Sequence, residues 1–260
     1  MHDVLMALTR AVPSSITECE LTHLDRVPID VMRAAEQHAD YEAALAAAGC
    51  RVERLPPADE HPDAVFVEDA AIVFGELAVI ARPGAASRRG ETASVAGAMS
   101  SYRPLAFIEA PGTLDGGDVL TVGRRVFVGL SSRTNADAAA QLQRLLAPHG
   151  YAVDTIETAA CLHLKSAATA VDDDLLLVNP DWIDIRRFGG LSIMEIHPDE
   201  PHAANVLRIG DRVLCSAAFP LTQATLETNG FATVPLDVSE LAKAEAGLTC
   251  CSLVFEIAVR

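Results

Sequence analysis

The hydrophobic positions of the chain recur in one order, and this order predicts a repeated structural unit. Residues 65–74 form an apolar run rich in β-branched and aromatic side chains, which predicts a strand. A short turn leads to a second predicted strand at 77–82, and a predicted helix at 88–101 precedes a third strand at 105–108. The unit is therefore strand, turn, strand, helix, strand.

Three further copies follow, each with a turn between its first two strands and a helix before its third. Asn135 is a favourable N-cap for one helix, and Pro220 suits the first turn of another because the N–H that proline lacks has no helical partner there. The copies are predicted as strands 119–122, 125–128 and 151–156 with helix 135–146; strands 167–171, 175–178 and 193–196 with a short helix after Pro180; and strands 206–209, 212–215 and 232–234 with a helix opened by Pro220.

The two ends of the chain supply the parts of one more unit. The N-terminal part contains a predicted strand at 4–8, a helix at 28–48 and a strand at 51–55, and the missing strand is the apolar run at 253–259. The last strand thus completes the first unit and closes a ring of five, which predicts a single propeller-like α/β domain over residues 1–260. A doubly wound α/β sheet is the alternative, but the repeated hairpins fit it poorly.

The composition argues against several classes of protein. With 36 acidic against 20 basic residues the net charge is −16, which disfavours binding to nucleic acid through phosphate neutralisation. Neither a glycine-rich phosphate loop nor a C-x-x-C pair is present, and the six cysteines lack the regular spacing of a disulfide scaffold. The N-terminus has no signal-peptide pattern and no apolar run reaches membrane-spanning length, so we expect a cytoplasmic protein without a membrane partner.

Polar residues that could carry chemistry stand at or just before the first strand of each unit. In a ring of like units these positions converge on the axis, so we expect a thiol, an imidazole and carboxylates in one central cavity. The residues are Glu68, Asp69, Asp115, Asp118, His163, Asn205 and Cys250.

Cys250 is the candidate nucleophile of this set. A thiol is mostly protonated at neutral pH, and nearby carboxylates raise its pKa further unless a cation lies between them. A guanidinium is such a cation, and carboxylates bind it through paired hydrogen bonds. Glu68 and Asp69 would orient the guanidinium, while His163 would protonate the departing amine and then activate water. Asp115 would orient His163 and favour its protonated form.

Each of these residues also has a purely structural interpretation. Free cysteine is among the most buried residue types, and a histidine flanked by leucines, as His163 is, is more often a core residue. The Glu68-Asp69 pair would then be a bulge that pairs with an internal arginine, and the segment around Asp115 would be a simple turn. Cys161 and His163 could bind a metal, but two ligands without a third are weak evidence for a metal site.

Six segments, in order over nearly the whole chain, together resemble the dimethylarginine dimethylaminohydrolase family. The resemblance implies the five-bladed α/β propeller of the guanidine-modifying enzymes (the pentein fold). It also implies hydrolysis of Nω-methylated arginine, asymmetric dimethylarginine or monomethylarginine, to citrulline and di- or monomethylamine through a covalent cysteine thiouronium, without cofactor or metal. The segments are Phe66-Val67-Glu68-Asp69, Arg82-Pro83-Gly84 with Ser87-Arg88-Arg89, Leu114-Asp115-Gly116-Gly117-Asp118-Val119-Leu120, Val128-Gly129-Leu130-Ser131-Ser132-Arg133-Thr134-Asn135, Leu162-His163-Leu164-Lys165-Ser166 and Leu248-Thr249-Cys250-Cys251-Ser252.

The same resemblance implies roles for individual residues. Cys250 matches the nucleophile, His163 the general acid and base, and Asp115 its acidic partner, where the wider superfamily often has glutamate. Asp69 resembles the guanidinium ligand, with Glu68 beside it. The remaining substrate contacts correspond to Arg88 and Arg133 at the carboxylate, and to Asp63, Leu21 and Ala244 at the α-amino group.

The choice between a methylated and an unmethylated guanidine depends on what surrounds the leaving nitrogen. Adjacent residues of a strand point to opposite faces, so only Asp69 is expected to reach the guanidinium directly, and Glu68 is not. One terminal nitrogen would then be free to carry methyl groups.

The sequence leaves two other functions open. An arginine or agmatine deiminase would use the same core on another guanidine, although Arg88 and Arg133 count against agmatine, which has no carboxylate. A non-catalytic propeller that binds a macromolecule, as ribosome anti-association factors of this fold do, is disfavoured by the presence of Cys250, His163 and Asp115 together. The polar segment 14–25 is a mobile lid or a plain surface loop, and the oligomeric state is not determined.

Overall fold

The computed structural model describes residues 3–258, which contain five sheets of three strands each. No helix among these residues has the length and apolar character that crossing a membrane requires. The strands are β1 (Asp3–Arg10), β2 (Arg51–Leu55), β3 (Ala71–Val73), β4 (Ala78–Ile80), β5 (Leu105–Phe107), β6 (Val119–Val122), β7 (Arg125–Leu130), β8 (Ala152–Glu157), β9 (Ala168–Ala170), β10 (Leu175–Val178), β11 (Ser192–Glu195), β12 (Leu207–Ile209), β13 (Arg212–Ser216), β14 (Ala232–Leu236) and β15 (Leu253–Ala258). The α-helices are α1 (Val31–Ala47), α2 (Thr92–Met99), α3 (Ala136–Leu146), α4 (Leu164–Ala167), α5 (Pro220–Thr228) and α6 (Ser239–Ala242).

All five sheets share one topology. The middle strand pairs antiparallel with the first strand of the unit and parallel with the third, as in the sheet β3-β4-β5. The two ends of the chain build one sheet together, because β1 pairs antiparallel with β15 from Asp3↔Ala258 to Leu8↔Leu253 and parallel with β2. The prediction that the last strand completes the first unit is confirmed.

The five sheets surround a common axis. One cavity of about 340 Å³ is lined by residues of β3, β6, β9, β12 and β15, the first strand of each unit. Because the same strand of every unit lines this one cavity, the five sheets must be arranged around it like the blades of a propeller. The predicted α/β fold of five ββαβ units is therefore confirmed.

The helix α3 illustrates how each unit packs against its neighbour. As predicted, Asn135 caps this helix, and its side chain accepts a hydrogen bond from the N–H of Ala138. The buried face of the helix includes Leu142, which belongs to one apolar cluster with Val79 of β4 and Val128 of β7. The helix thus fills the space between its own sheet and the preceding one.

The structure corrects two predicted strands next to the axis. The predicted strand 65–74 contains a 3₁₀ helix at Val67–Ala70, so only Ala71–Val73 joins the sheet. The predicted strand 167–171 begins only after α4 and is likewise reduced to three residues. Polar side chains in and just before these segments are buried and bonded to groups outside the sheet, and the local backbone follows those contacts rather than the apolar pattern.

The predicted helix 88–101 is also divided in the structure. A 3₁₀ segment at Ala86–Glu91 precedes α2, because the side chains of Arg88 and Glu91 turn inward and bind each other. Val259, the last residue of the predicted final strand, lies outside the described residues.

Gly84 occupies a position where two units approach too closely for a side chain. A Cβ atom there would lie 2.4 Å from the carbonyl oxygen and 2.6 Å from the Cα of Arg133. We expect Gly84→Ala to lower the free energy of unfolding by about 1–3 kcal/mol, because backbone would have to shift. The exposed Gly97 of α2 has nothing within 4 Å of such an atom, so Gly97→Ala should instead add roughly 0.5–1 kcal/mol. Urea unfolding measures both, and a wild-type midpoint for Gly84→Ala would contradict the prediction.

Candidate active site

One end of the propeller axis carries a narrow cleft. Short helical turns at Val67–Ala70, Leu164–Ala167 and Thr249–Cys251 lie at the starts of the inner strands and bring their polar side chains to this end. The space inside is about 20 Å³, enough for little more than one water molecule. Seven of the ten predicted site residues line it, namely Asp63, Asp69, Arg88, Arg133, His163, Ala244 and Cys250.

His163 is held between two carboxylates. Its Nε2 atom lies 3.1 Å from Oδ2 of Asp115, and its Nδ1 atom lies 3.8 Å from Oδ1 of Asp69. The other oxygen of Asp115 accepts a hydrogen bond from the backbone N–H of Gly84 at 2.9 Å. Asp115 therefore holds the imidazole from behind the cleft.

The charges around His163 decide its protonation state. Burial by itself lowers the pKa of this imidazole, but the carboxylates of Asp69 and Asp115 outweigh burial and raise the pKa to about 9. Burial likewise opposes ionisation of Asp69, yet His163 and Arg88 hold the pKa of that carboxyl at about 2. At neutral pH the site thus contains an imidazolium and a carboxylate that face each other.

Cys250 is a protonated thiol in the same conditions. Burial raises the pKa of this thiol well above its ordinary value, and the negative charges of Glu68 and Asp69 raise it further. The backbone N–H of Gly247 donates a hydrogen bond to the sulfur at 3.3 Å, which favours the thiolate only slightly against these effects. A positive ligand is required before the sulfur becomes a good nucleophile.

Glu68 faces away from the cleft. Its Oε1 atom accepts a hydrogen bond from Nζ of Lys165 at 2.7 Å, and its Oε2 atom accepts one from the hydroxyl of Thr249 at 2.7 Å. Glu68 and Lys165 line the large axial cavity on the other side of the site. The two neighbouring acids do diverge, but the expected cause was wrong, because they occupy a 3₁₀ turn rather than a strand.

The two predicted carboxylate-binding arginines have different surroundings. Arg88 is buried, and its guanidinium binds Oδ2 of Asp69 at 2.7 Å and Oε2 of Glu91 at 2.9 Å. Arg133 donates from Nη2 to the hydroxyl of Thr22 at 2.9 Å, and its Nη1 atom lies 4.0 Å from Asp115. Because acids of the protein already occupy Arg88, Arg133 is the better placed of the two to receive a ligand carboxylate.

The residues predicted at the α-amino group are only partly brought together. Asp63 and Ala244 line the cleft, and the carboxylate of Asp63 accepts a hydrogen bond from the N–H of Glu20 at 3.0 Å. Leu21 is not among the lining residues, although the preceding residue Glu20 is. The roles of all ten residues stay predictions.

Comparison with known proteins places this geometry in a family. Residues 57–197 match the family model described as arginine deiminase. The dimethylarginine dimethylaminohydrolase of Streptomyces coelicolor is 39% identical over 95% of this chain and 95% of its own length. The corresponding enzyme of Pseudomonas aeruginosa is 36% identical over 98% of this chain and 99% of its own length. A solved structure of the Pseudomonas aeruginosa protein, a cysteine-to-serine mutant complexed with citrulline, matches with a TM-score of 0.90 at 32% identity over 97% of this chain and 100% of that one.

The chain belongs to the dimethylarginine dimethylaminohydrolase family.

The segment 14–25 contributes Glu20 to the cleft and is held by hydrogen bonds at several points. The carboxylate of Glu245 accepts hydrogen bonds from the consecutive backbone N–H groups of Thr22, His23 and Leu24. At the other end of the segment, Ser14 is bonded through its N–H to Asp59 at 2.7 Å. A ligand the size of an amino acid exceeds the space of about 20 Å³ inside the cleft, so some lining groups have to move before it fits.

Three residues of the site were not assigned a role from the sequence. Lys165 and Thr249 form hydrogen bonds to Glu68, and both lie inside segments that carry the family resemblance. A buried acid needs a partner, so the absence of an assigned partner for Glu68 was the signal that could have pointed to them. Glu245 had no such signal, because its partners lie more than two hundred residues away in the chain.

Asp69, Asp115 and His163 also offer ligand atoms within 4.8 Å of one another, as a metal site would. A metal ion would have to displace the proton from His163, whose pKa these carboxylates raise to about 9. Asp69 and Asp115 are in addition committed to Arg88 and to the N–H of Gly84. The cluster therefore fits proton transfer better than metal binding.

The protonation state of Cys250 can be measured by alkylation. We expect the pH dependence of its reaction with iodoacetamide to give a pKa above the ordinary 9.0, and millimolar methylguanidinium to lower that pKa because a cation then stabilises the thiolate. The effect should persist in His163→Gly and vanish in Asp69→Asn, while Cys250→Ser reports the background from the other cysteines. An apparent pKa that does not respond to methylguanidinium would refute activation of the thiol by ligand charge.

Proposed function

We propose that this protein hydrolyses Nω-methylated arginine to citrulline and methylamine or dimethylamine. The observation that carries the proposal is the position of an imidazolium, His163, between Asp115 and Asp69 in the same cleft as the thiol of Cys250. The family relation at 36–39% identity over nearly the whole chain supports the same reaction.

The substrate guanidinium binds Asp69 in this mechanism. Asp69 stays ionised because Arg88 and His163 hold its pKa at about 2, and a carboxylate with two oxygens has acceptor positions beyond those that Arg88 and Gly117 use. The positive charge of the guanidinium next to Cys250 offsets the two acids that raise the thiol pKa. The thiol then loses its proton to solvent when substrate is bound.

The amino-acid end of the substrate is recognised at the rim of the cleft. Asp63 is the carboxylate available to the α-amino group, and Arg133 is the cation available to the substrate carboxylate. Arg133 also donates a hydrogen bond to Thr22 of segment 14–25, so a bound carboxylate and this segment would contact the same guanidinium. Arg88 is assigned to the support of Asp69, with a carboxylate contact as its second possible role.

The first chemical step forms a bond between sulfur and carbon. The thiolate of Cys250 attacks the central carbon of the guanidinium and gives a neutral tetrahedral adduct. His163 then donates its proton to the methylated nitrogen, the C–N bond breaks, and the amine leaves. The carbon remains bound to Cys250 as a cationic thiouronium, and His163 is neutral.

The second step reverses the roles. Neutral His163 accepts a proton from water as the water oxygen attacks the thiouronium carbon, which restores the imidazolium and forms a second tetrahedral adduct. This adduct loses the proton of its hydroxyl to solvent and expels the thiolate of Cys250, giving citrulline. The balance of the reaction is one guanidinium and one water converted to one citrulline and one protonated amine.

The second candidate function is the hydrolysis of unmethylated arginine, because the family model that matches residues 57–197 is described as arginine deiminase. A site for arginine would form hydrogen bonds to both terminal nitrogens of the guanidinium. A methylated substrate in such a site would leave buried acceptors of the protein without a hydrogen bond, which costs roughly 1–3 kcal/mol of binding free energy for each acceptor. Here Glu68 is committed to Lys165 and Thr249 outside the cleft, which leaves Asp69 as the acid that faces a terminal nitrogen. This arrangement favours the methylated substrate.

We therefore expect a higher kcat/KM for asymmetric dimethylarginine or monomethylarginine than for arginine, with dimethylamine or methylamine as co-product. A citrulline colour assay on these guanidines, together with chromatography of the amine, measures both. Agmatine should react poorly because it has no carboxylate for Arg133. Release of ammonia from arginine at an equal or greater kcat/KM would instead make the protein a deiminase.

The adjacent cysteines provide a matched pair of variants for the nucleophile. Cys250→Ser should lower kcat by roughly 10³-fold or more, because a hydroxyl is far less acidic than a thiol. Cys251 is buried and is not among the residues that line the cleft, so Cys251→Ser should keep much of the activity. The opposite result would place the nucleophile one residue further along the chain.

A further inference from the structure

Asp118 is a fully buried acid next to the site that the mechanism above does not use. It ends the short turn that begins after Asp115, and its backbone N–H donates to the carbonyl of Asp115 at 3.0 Å. The side chain is not among the residues that line the cleft, so it does not face a substrate. Its two oxygens accept hydrogen bonds from the N–H of Leu164 at 2.9 Å and from the hydroxyl of Ser131 at 2.6 Å.

The first of these bonds fixes the backbone of the catalytic histidine. His163 is the residue before α4, and its own side chain makes no capping hydrogen bond to that helix. The carboxylate of Asp118 takes this place by accepting from Leu164, the first residue of the helix. The imidazole is thereby left available for Asp115 while its backbone is held by Asp118.

The second bond connects the same carboxylate to the other residues of the site. The hydroxyl oxygen of Ser131 accepts hydrogen bonds from the N–H groups of Arg133 at 3.0 Å and Thr134 at 3.2 Å. The hydroxyl of Thr134 in turn accepts from the N–H of Asp115 at 3.1 Å. Through Ser131, Asp118 therefore reaches the turn that carries Arg133 and the backbone of the acid that orients His163.

The carboxylate of Asp118 is fully buried and packs closely against the backbone of Gly129. A Cβ atom on Gly129 would lie 2.7 Å from Oδ1 of Asp118 and 2.8 Å from the Cβ of Leu164. A carboxylate confined in this way holds both of its partners in one geometry.

Asp118 also acts on His163 through its charge. His163 is faced by Asp69, Asp115 and Asp118, all of which raise its pKa, while Asp118 is faced by His163 and by the thiol of Cys161. Burial raises the pKa of Asp118 to about 6, and His163 together with the hydrogen bonds from Ser131 and Leu164 limits that rise. The carboxylate is mainly ionised at neutral pH.

We propose that Asp118 is a positioning residue for the acid–base step: its carboxylate holds the backbone at Leu164 and the hydroxyl of Ser131, and so fixes His163 relative to Asp115. The proposal rests on the role of His163 in the proposed function. Asp118 touches neither the substrate nor the reacting atoms.

The variant Asp118→Asn keeps the shape of the side chain and removes its charge. We expect kcat for methylated arginine to fall roughly 10- to 100-fold with little change in KM, because the histidine is misplaced after substrate is bound. Activity requires protonated His163 and falls as pH rises through its pKa, so removal of a nearby negative charge should move this limb of the profile to lower pH. Asp118→Glu should not restore activity, because the site is fully buried and a longer side chain would have to displace its packed neighbours.

Glu200→Gln is the matched control. Glu200 is also buried and binds the N–H groups of Leu221 and Thr222 at 2.9 and 2.7 Å at the start of α5, away from the cleft. This variant should lose stability while kcat and the pH profile stay as in the wild type. Similar losses of kcat in Glu200→Gln and Asp118→Asn, or a wild-type kcat in Asp118→Asn, would overturn the proposal.

Two further measurements keep the result unambiguous. An NMR titration of His163, assigned with His163→Gln, requires no turnover and therefore applies even if methylated arginines prove not to be substrates. A lower pKa of His163 in Asp118→Asn supports the charge effect, and an unchanged pKa overturns it.

If Asp118→Asn does not fold, Ser131→Ala removes one of the two hydrogen bonds to Asp118 and keeps its charge. A reduced kcat in Ser131→Ala, with the fall of activity at high pH in the same place as in the wild type, then supports the proposal. A wild-type kcat overturns it.

Discussion

The buried ion pair between Asp69 and Arg88 fixes the carboxylate that faces the imidazole of His163. Both side chains are almost inaccessible to solvent, and Arg88 is also bound by Glu91, whose pKa burial raises to about 7 in spite of the arginine. Removing one partner of such a pair leaves an uncompensated charge in the interior, which typically costs about 3–5 kcal/mol. The orientation of Asp69 is therefore set by the protein before any substrate arrives.

The same carboxylate favours the protonated form of both His163 and Cys250. Asp69 raises the pKa of His163 and of Cys250, so the imidazole gains a proton and the thiol keeps one. The imidazolium can therefore donate a proton, whereas the thiol is not yet ionised. In the proposed mechanism, a guanidinium bound at Asp69 supplies the missing positive charge, so the thiolate forms only where substrate is present.

The repeated unit could be predicted from the chain because its sheets are buried and regular. Strands β6 and β10 agree with the apolar pattern to the residue, helix α5 begins at Pro220 as predicted, and the pairing of β15 with β1 follows from counting four complete units and one incomplete unit. The pattern failed beside the axis, where Val67–Ala70 forms a 3₁₀ helix inside an apolar run. There the buried acids impose a turn, and hydrophobic periodicity carries no information about their partners.

The sequence by itself determined the number of units, the closure of the ring by the last strand, and the residue types that meet at the axis, since these follow from local pattern and from the order of the segments. Only the tertiary structure decided which acid enters the cleft. Asp69 and Glu68 are neighbours in the chain, yet Arg88 draws one to the cleft and Lys165, 97 residues away, draws the other to the axial cavity. In the same way the carboxylate of Glu245 holds a segment 223 residues distant. Such partners are set by the packing of separate blades, and the local sequence around either member of a pair does not specify the other.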